Sequence, residues 1–120
     1  MATAQTDRFS NSPGSGVKPP CVVATTANIT LNAPQTVDSV AVVAEDRVLV
    51  KDQTDGTENG IYEVAAGDWT RVTDYNASED LLSGILIPVA GGGAGAGIYQ
   101  VTYSGDFVLG TTDPTFTKIV

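Results

Sequence analysis

Residues 46–69, DRVLVKDQTDGTENGIYEVAAGDW, read as an aliphatic run, a turn-rich loop, a short alternating segment, and a Gly-Asp turn leading into an aromatic residue. Residues 83–107, SGILIPVAGGGAGAGIYQVTYSGDF, repeat that frame. Val48, Leu49 and Val50 align with Ile85, Leu86 and Ile87, Gly-Ile-Tyr-polar-Val follows in both, and each closes on Gly-Asp before Trp69 or Phe107. Short runs of β-branched and aromatic residues bounded by Gly, Asn and Asp are the vocabulary of strands. Each copy is expected to form a strand, a loop, a second strand and a turn into a third. Two such hairpin-like units can cover each other's apolar faces.

Side chains alternate along a strand, so Ile61 and Glu63 should point one way while Tyr62 and Val64 point the other. The second copy sets Ile98 and Gln100 opposite Tyr99 and Val101 in the same way. Tyr62, Val64, Tyr99 and Val101 are the expected inner face, with Trp69 and Phe107 closing its ends. Glu63 and Gln100 should face water or a neighbouring subunit.

Further strands are expected at 22–25, 36–37, 40–43, 47–51, 60–65, 69–72, 83–89, 98–103, 107–109 and 115–120. One short helical turn is expected at 77–82, capped by Asn76 or Ser78. This pattern predicts an all-β fold: a small β-sandwich or barrel of short antiparallel strands on a duplicated hairpin unit, the repeats spanning about 46–74 and 83–113. A chain of 120 residues holds one domain of ordinary size, here 21–120. Residues 1–20, MATAQTDRFSNSPGSGVKPP, contain few large apolar side chains beyond Phe9 and Val17 and read as an extended N-terminal arm. Pro19 and Pro20 stiffen its junction with the domain. The arm either trails as a tag-like tail or orders along a neighbouring subunit. In the second case Phe9, Val17, Pro19 and Pro20 are its partner-binding residues, with Phe9 the one large aromatic anchor.

Composition narrows the function. Fourteen acidic and six basic residues give a formal net charge of −8, whereas a general nucleic-acid binder needs a basic surface, so no nucleic-acid partner is expected. No long apolar run and no apolar leader point to a membrane or to secretion. The single cysteine, Cys21, has no internal partner and reads as a small apolar core or interface residue of a soluble chain made in a reducing cytosol.

There is no histidine, which removes the commonest general base, the usual triads and most zinc sites. The adjacent carboxylates Glu45-Asp46 and Glu79-Asp80 point to opposite faces of an extended chain, so no acid and base pair can be nominated and no enzyme is expected. Loop 51–60 carries Asp52, Asp55 and Glu58, but not at EF-hand spacing, and the matching loop 90–97 is glycine and alanine alone. No metal or cofactor is expected. Loop 90–97 also lacks the following helix and Lys-Ser or Lys-Thr pair of a phosphate cradle. A flexible loop that approaches another backbone closely is the better reading. Asp46 with Arg47, and Asp68 with Arg71, are expected as ion pairs beside the strands.

Residues 23–31 (VATTANITL), 35–38 (QTVD), 46–54 (DRVLVKDQT), 58–62 (ENGIY) and 69–71 (WTR) resemble, in that order, a module of tailed-bacteriophage virion proteins found in tail fibres and related structural proteins. The resemblance runs from about residue 22 to 74, and residues 110–112 with 116–119 look like the close of the same module. Residues 91–97 depart from the more polar sequence expected there. The resemblance implies a non-enzymatic virion component: a tail-fibre or head-fibre base, spike base, adaptor or capsid decoration subunit. It also implies other virion proteins as partners, assembly as a homo-oligomer with a trimer as the fibre-like expectation, and residence in the virion after synthesis in the host bacterial cytoplasm. The arm would pass over a neighbour and add extended backbone to a sheet edge. The alternative is a glycan or receptor-binding module that offers surface aromatic residues, Trp69 among them, to a sugar face.

Overall fold

The computed structural model describes residues 16–77 and 82–120. Among these residues nine strands follow in order: β1 (Val23–Ala24), β2 (Gln35–Val37), β3 (Val40–Val42), β4 (Arg47–Val50), β5 (Gly60–Glu63), β6 (Thr70–Arg71), β7 (Leu86–Val89), β8 (Gly97–Thr102) and β9 (Thr115–Lys118). They form a four-stranded sheet of order β1-β4-β5-β6, a two-stranded ribbon β2-β3 and a three-stranded sheet β7-β8-β9. Every ladder is antiparallel except β1 on β4. The fold is mostly strand, and the helical content among the described residues is two 3-10 turns, Gly56–Glu58 and Thr73–Tyr75. The expected turn at 77–82 falls on residues 78–81, outside the described residues, as does Glu79-Asp80.

The two hairpins β4-β5 and β7-β8 share their register. Gly60 lies opposite Val50 and Gly97 opposite Val89, so Val50 corresponds to Val89 and not to Ile87 as the sequence alignment had it. The second loop is two residues shorter, and a shift of two leaves every side chain on its original face. In both hairpins the tyrosine hydroxyl donates to the carbonyl four residues earlier, Tyr62 to Glu58 O at 2.5 Å and Tyr99 to Gly95 O at 2.9 Å.

Residues 16–25 run beside both hairpins. Leu86 N–H donates to Gly16 O at 2.8 Å, Lys18 N–H to Leu86 O at 2.9 Å and Cys21 N–H to Pro88 O at 2.9 Å, a parallel alignment on the outer side of β7. The same backbone then crosses to β4, where Val22 N–H donates to Arg47 O at 2.7 Å and Thr25 N–H to Leu49 O at 2.9 Å. One extended segment thus stitches the two sheets together.

The core divides into two clusters. Ala24, Leu49, Ile61 and Tyr75 pack with Ile85, Ile87, Val89, Tyr99, Val101 and Phe107 from the β7-β8-β9 side. Val23, Val48, Val50, Tyr62, Val64 and Trp69 pack with Val37 and Val42 of the β2-β3 ribbon. The expected single inner face of Tyr62, Val64, Tyr99 and Val101 is therefore split, because β4 and β5 are covered on both sides. Ile61, expected beside exposed Glu63, is fully buried. The uninterrupted aliphatic run of β4 is the signature of a strand buried on both faces.

The strand expected at 107–109 does not form, while those expected at 36–37 and 40–43 do. Phe107 lies in no strand: Thr111 and Thr112 N–H both donate to Val108 O, and Val108 N–H donates to Thr112 Oγ1 at 2.8 Å, so a tight turn absorbs the groups a ladder would need. The Phe107 ring is buried edge-on to Tyr75, centroids 6.3 Å apart, and tilted against Tyr103 at 5.1 Å. Asp38 and Ser39 join β2 to β3 with φ of 46° and 72°, the doubly left-handed turn that matches strand twist and is normally filled by Asn-Gly.

Candidate functional site

The arm predicted for residues 1–20 has its foot in the described structure from Gly16 onward; Phe9 lies outside it. Val17, Pro19 and Pro20 are exposed, while Lys18 between them is buried, its Nζ donating to Asp74 O at 2.8 Å. Pro19 and Pro20 have no N–H to offer a ladder. The Pro19 carbonyl is taken instead by Arg47 Nε at 3.0 Å. The same guanidinium makes a fork-on-fork pair with Asp74, both bonds 2.7 Å long. Arg47 thus ties β4, the 73–75 turn and the foot of the arm at one point.

The electrostatics fit that role. Burial pulls the Asp74 carboxyl upward, but hydrogen bonds and charge from Arg47 outweigh it and hold the group below its ordinary value. Burial likewise opposes the charge on Arg47, and Asp74 reverses the balance and raises it. Cys21 sits beside this pair, and burial pushes its thiol up to about 12 despite the nearby guanidinium. Neither expected ion pair forms: Asp46 accepts from Val43 N–H at 2.9 Å and Asp68 from Asn32 Nδ2 at 2.6 Å. Arg71 donates to Asn59 O and Thr57 O, each at 3.1 Å, and lies over the Tyr62 ring at 5.1 Å. A carboxylate one residue or three away on a strand edge lost in each case to a partner reached through the fold.

The two loops are built by internal bonding. Gln53 is buried, its side chain accepting from Ile29 N–H at 2.9 Å and donating to Ile29 O at 3.0 Å, as an adjacent strand would. Among the described residues no group of three or more Asp, Glu, Cys or His side chains is placed to hold a metal ion. In the glycine loop, Gly93 and Gly95 N–H both donate to Asp38 Oδ2, at 2.8 and 2.9 Å, which anchors the strained 38–39 turn. A Cβ at Gly91 would lie 2.9 Å from Val22 O and one at Gly95 3.0 Å from Ala24 O, so this loop does approach another backbone too closely for a side chain.

The remaining candidates are structural in position. Tyr62, Val64, Tyr99, Val101 and Phe107 are buried, as is Trp69 at 5% exposure, whose Nε1–H donates to Ala33 O at 3.0 Å. The indole considered for a sugar face is turned into the core. Among the described residues Lys18, Arg47, Lys51, Arg71 and Lys118 each donate to a partner within the chain, which leaves the surface field to the unpaired carboxylates. No described helix is long and apolar enough to cross a membrane. Lys18, Asp38 and the Arg47–Asp74 pair escaped the sequence reading, since their partners lie 27 to 57 residues away and no local spacing announces them.

Comparison with family models, curated proteins and solved structures returns no match to this chain.

Proposed function

We propose that the chain is a non-enzymatic structural protein of a bacteriophage virion: a fibre or spike base, adaptor or capsid decoration subunit, homo-oligomeric, docking on the particle through its N-terminal arm. The observation that carries the reading is the foot of that arm. An arm that locks an assembly must pass load into a rigid body, and residues 16–25 lie along both sheets, held further by Lys18 and Arg47. A pull along the segment loads these bonds together. The resemblance of residues 22–74 to a phage virion module supplies the virion context.

The accompanying fold reading is a small β-sandwich grown from a duplicated hairpin. It is supported by the matching registers of β4-β5 and β7-β8, the equivalent tyrosine bonds and the parallel segment beside each hairpin. Homo-oligomerisation draws support from the edge of β9, which among the described residues pairs only with β8 and carries exposed Thr115, Thr117 and Lys118. Unpaired edges are liabilities in a lone molecule and docking places in an assembly.

The test is a deletion of residues 1–15, which spares the strand-forming foot, in a phage encoding the chain. Purified virions should contain the full-length chain by mass spectrometry and immunogold labelling, and should lack the deleted form even though it folds with an unchanged circular dichroism spectrum. Virions without the full-length chain would refute the virion assignment. Equal incorporation of both forms would refute docking through the arm. Light scattering on the isolated chain is expected to give a trimer.

A further inference from the structure

At the end of the β8-β9 ladder, Thr102 and Thr115 face each other across the strands and open one side of a groove of about 400 Å³. Tyr103, Ser104, Thr112 and Asp113 complete its walls. The Thr112 hydroxyl is spent on the loop itself, accepting from Val108 N–H and donating to Asp106 O at 3.2 Å. By contrast, the side chains of Thr102, Ser104, Asp113 and Thr115 make no hydrogen bond among the described residues. Three hydroxyls and a carboxylate therefore converge on one concavity with their capacity unspent. The Tyr103 ring, braced by Phe107, supplies an apolar wall beside them.

The lining selects its ligand class. It contains no lysine or arginine, and the chain carries a net charge of −8, so anions are repelled. One carboxylate is too few for a hard cation that takes six or more oxygen ligands. A mainly polar wall gives an apolar ligand little to gain. A neutral polyol fits each group: its hydroxyls donate to the carboxylate, exchange bonds with Thr and Ser, and lay C–H surface on the tyrosine ring. The volume lies within the ~300–1,000 Å³ usual for small-molecule sites. We infer that this groove is a binding site for a neutral oligosaccharide, independent of the docking arm.

Asp113 is the orienting group. Its carboxylate rests against Gly56, where any Cβ would collide with it, and Pro114 stiffens the backbone on its other side. The glycine thus leaves the space that the acid occupies at the groove's wall. The left-handed geometry that would strain a substitution is absent at Gly56, so Gly56→Ala displaces the carboxylate without forcing the backbone.

The test is a ¹⁵N-HSQC titration of the full chain with lactose, maltotriose and triacetylchitotriose, with 3′-sialyllactose as the anionic comparison. At least one neutral sugar should shift the amides of 102–104, 113 and 115 and of Gly56, with a Kd on the order of 1 mM. Asp113→Asn, at an exposed position, should weaken binding by about tenfold, the scale of one charge-assisted hydrogen bond, with the remaining spectrum superimposable. Gly56→Ala should weaken it in the same direction, and 3′-sialyllactose should bind more weakly than lactose. The inference is overturned if none of the three neutral sugars shifts these amides, if Asp113→Asn binds like the wild type, or if Ca²⁺ alone reproduces the shifts. None of these outcomes bears on incorporation into virions.

Discussion

Replacing Asp74 by asparagine keeps the shape of the side chain and removes the charge that Arg47 grips. The pair is bidentate at 2.7 Å with side-chain exposures of 17% and 32%, so it lies between a solvated surface pair and a buried one. Surface pairs contribute roughly 0–1 kcal/mol, while breaking a buried pair costs about 3–5 kcal/mol because the remaining charge is stranded. A half-screened fork should therefore cost about 2 kcal/mol on Asp74→Asn, since Arg47 keeps its bond to Pro19 O and part of its water. At roughly 2.1 cal/mol/K per residue, unfolding 120 residues changes entropy by about 0.25 kcal/mol/K, so Tm should fall by about 8 °C.

The pH dependence has a definite sign. The folded Asp74 carboxyl is held below its ordinary value, so its contribution is complete above the unfolded value of about 3.9 and is lost as pH falls through the folded one. Urea denaturation followed by the fluorescence of Trp69, the sole and buried tryptophan, provides the assay without added salt. The gap between wild type and variant should be full at about pH 7 and smaller at about pH 2.5, below the unfolded carboxyl's value of about 3.9, where protonation in the unfolded state has drawn the contribution down. An equal gap at the two pH values, or one below ~0.5 kcal/mol at neutrality, would refute the reasoning.

Two further outcomes test the interior. The Tyr75 hydroxyl is buried and has no hydrogen-bond partner among the described residues, so Tyr75→Phe should leave stability unchanged or raise it by up to about 1 kcal/mol in the same urea assay. A loss beyond that range would show that the hydroxyl is satisfied. Cys21, with its thiol pushed up to about 12 by burial, should resist iodoacetamide at neutral pH until the domain unfolds. Labelling of the native chain as fast as in urea would contradict its placement.

How far the fold could be read in advance differs from element to element. The Gly-Ile-Tyr-polar-Val segments located β5 and β8, and the Val pairs around Asp38-Ser39 located the β2-β3 ribbon, because period-2 alternation and turn residues act over a few positions. The loops were legible only as exclusions: glycine content argued against ligands in 90–97, but nothing nearby pointed to Asp38 as the acceptor of its amides. Trp69 and Phe107 were expected as closing residues and both are buried, yet the backbone of Phe107 follows the Thr112 turn and not a ladder. The groove around Asp113 had no sequence signal, since its hydroxyls come from strand ends and a loop with no common spacing.

By itself, then, the order of residues settled the strand character, a sequence frame that occurs twice and the net negative charge, all of which follow from short-range sterics and composition. Only the folded chain decided which faces of β4 and β5 are covered, since Ile61 and Tyr62 look equally apolar until a sheet lies on one side and a ribbon on the other. It also decided that Arg47 pairs with Asp74 and not with its neighbour Asp46. Adjacent residues on a strand point to opposite faces, whereas a partially buried guanidinium is satisfied by whichever carboxylate the fold delivers in plane with its fork.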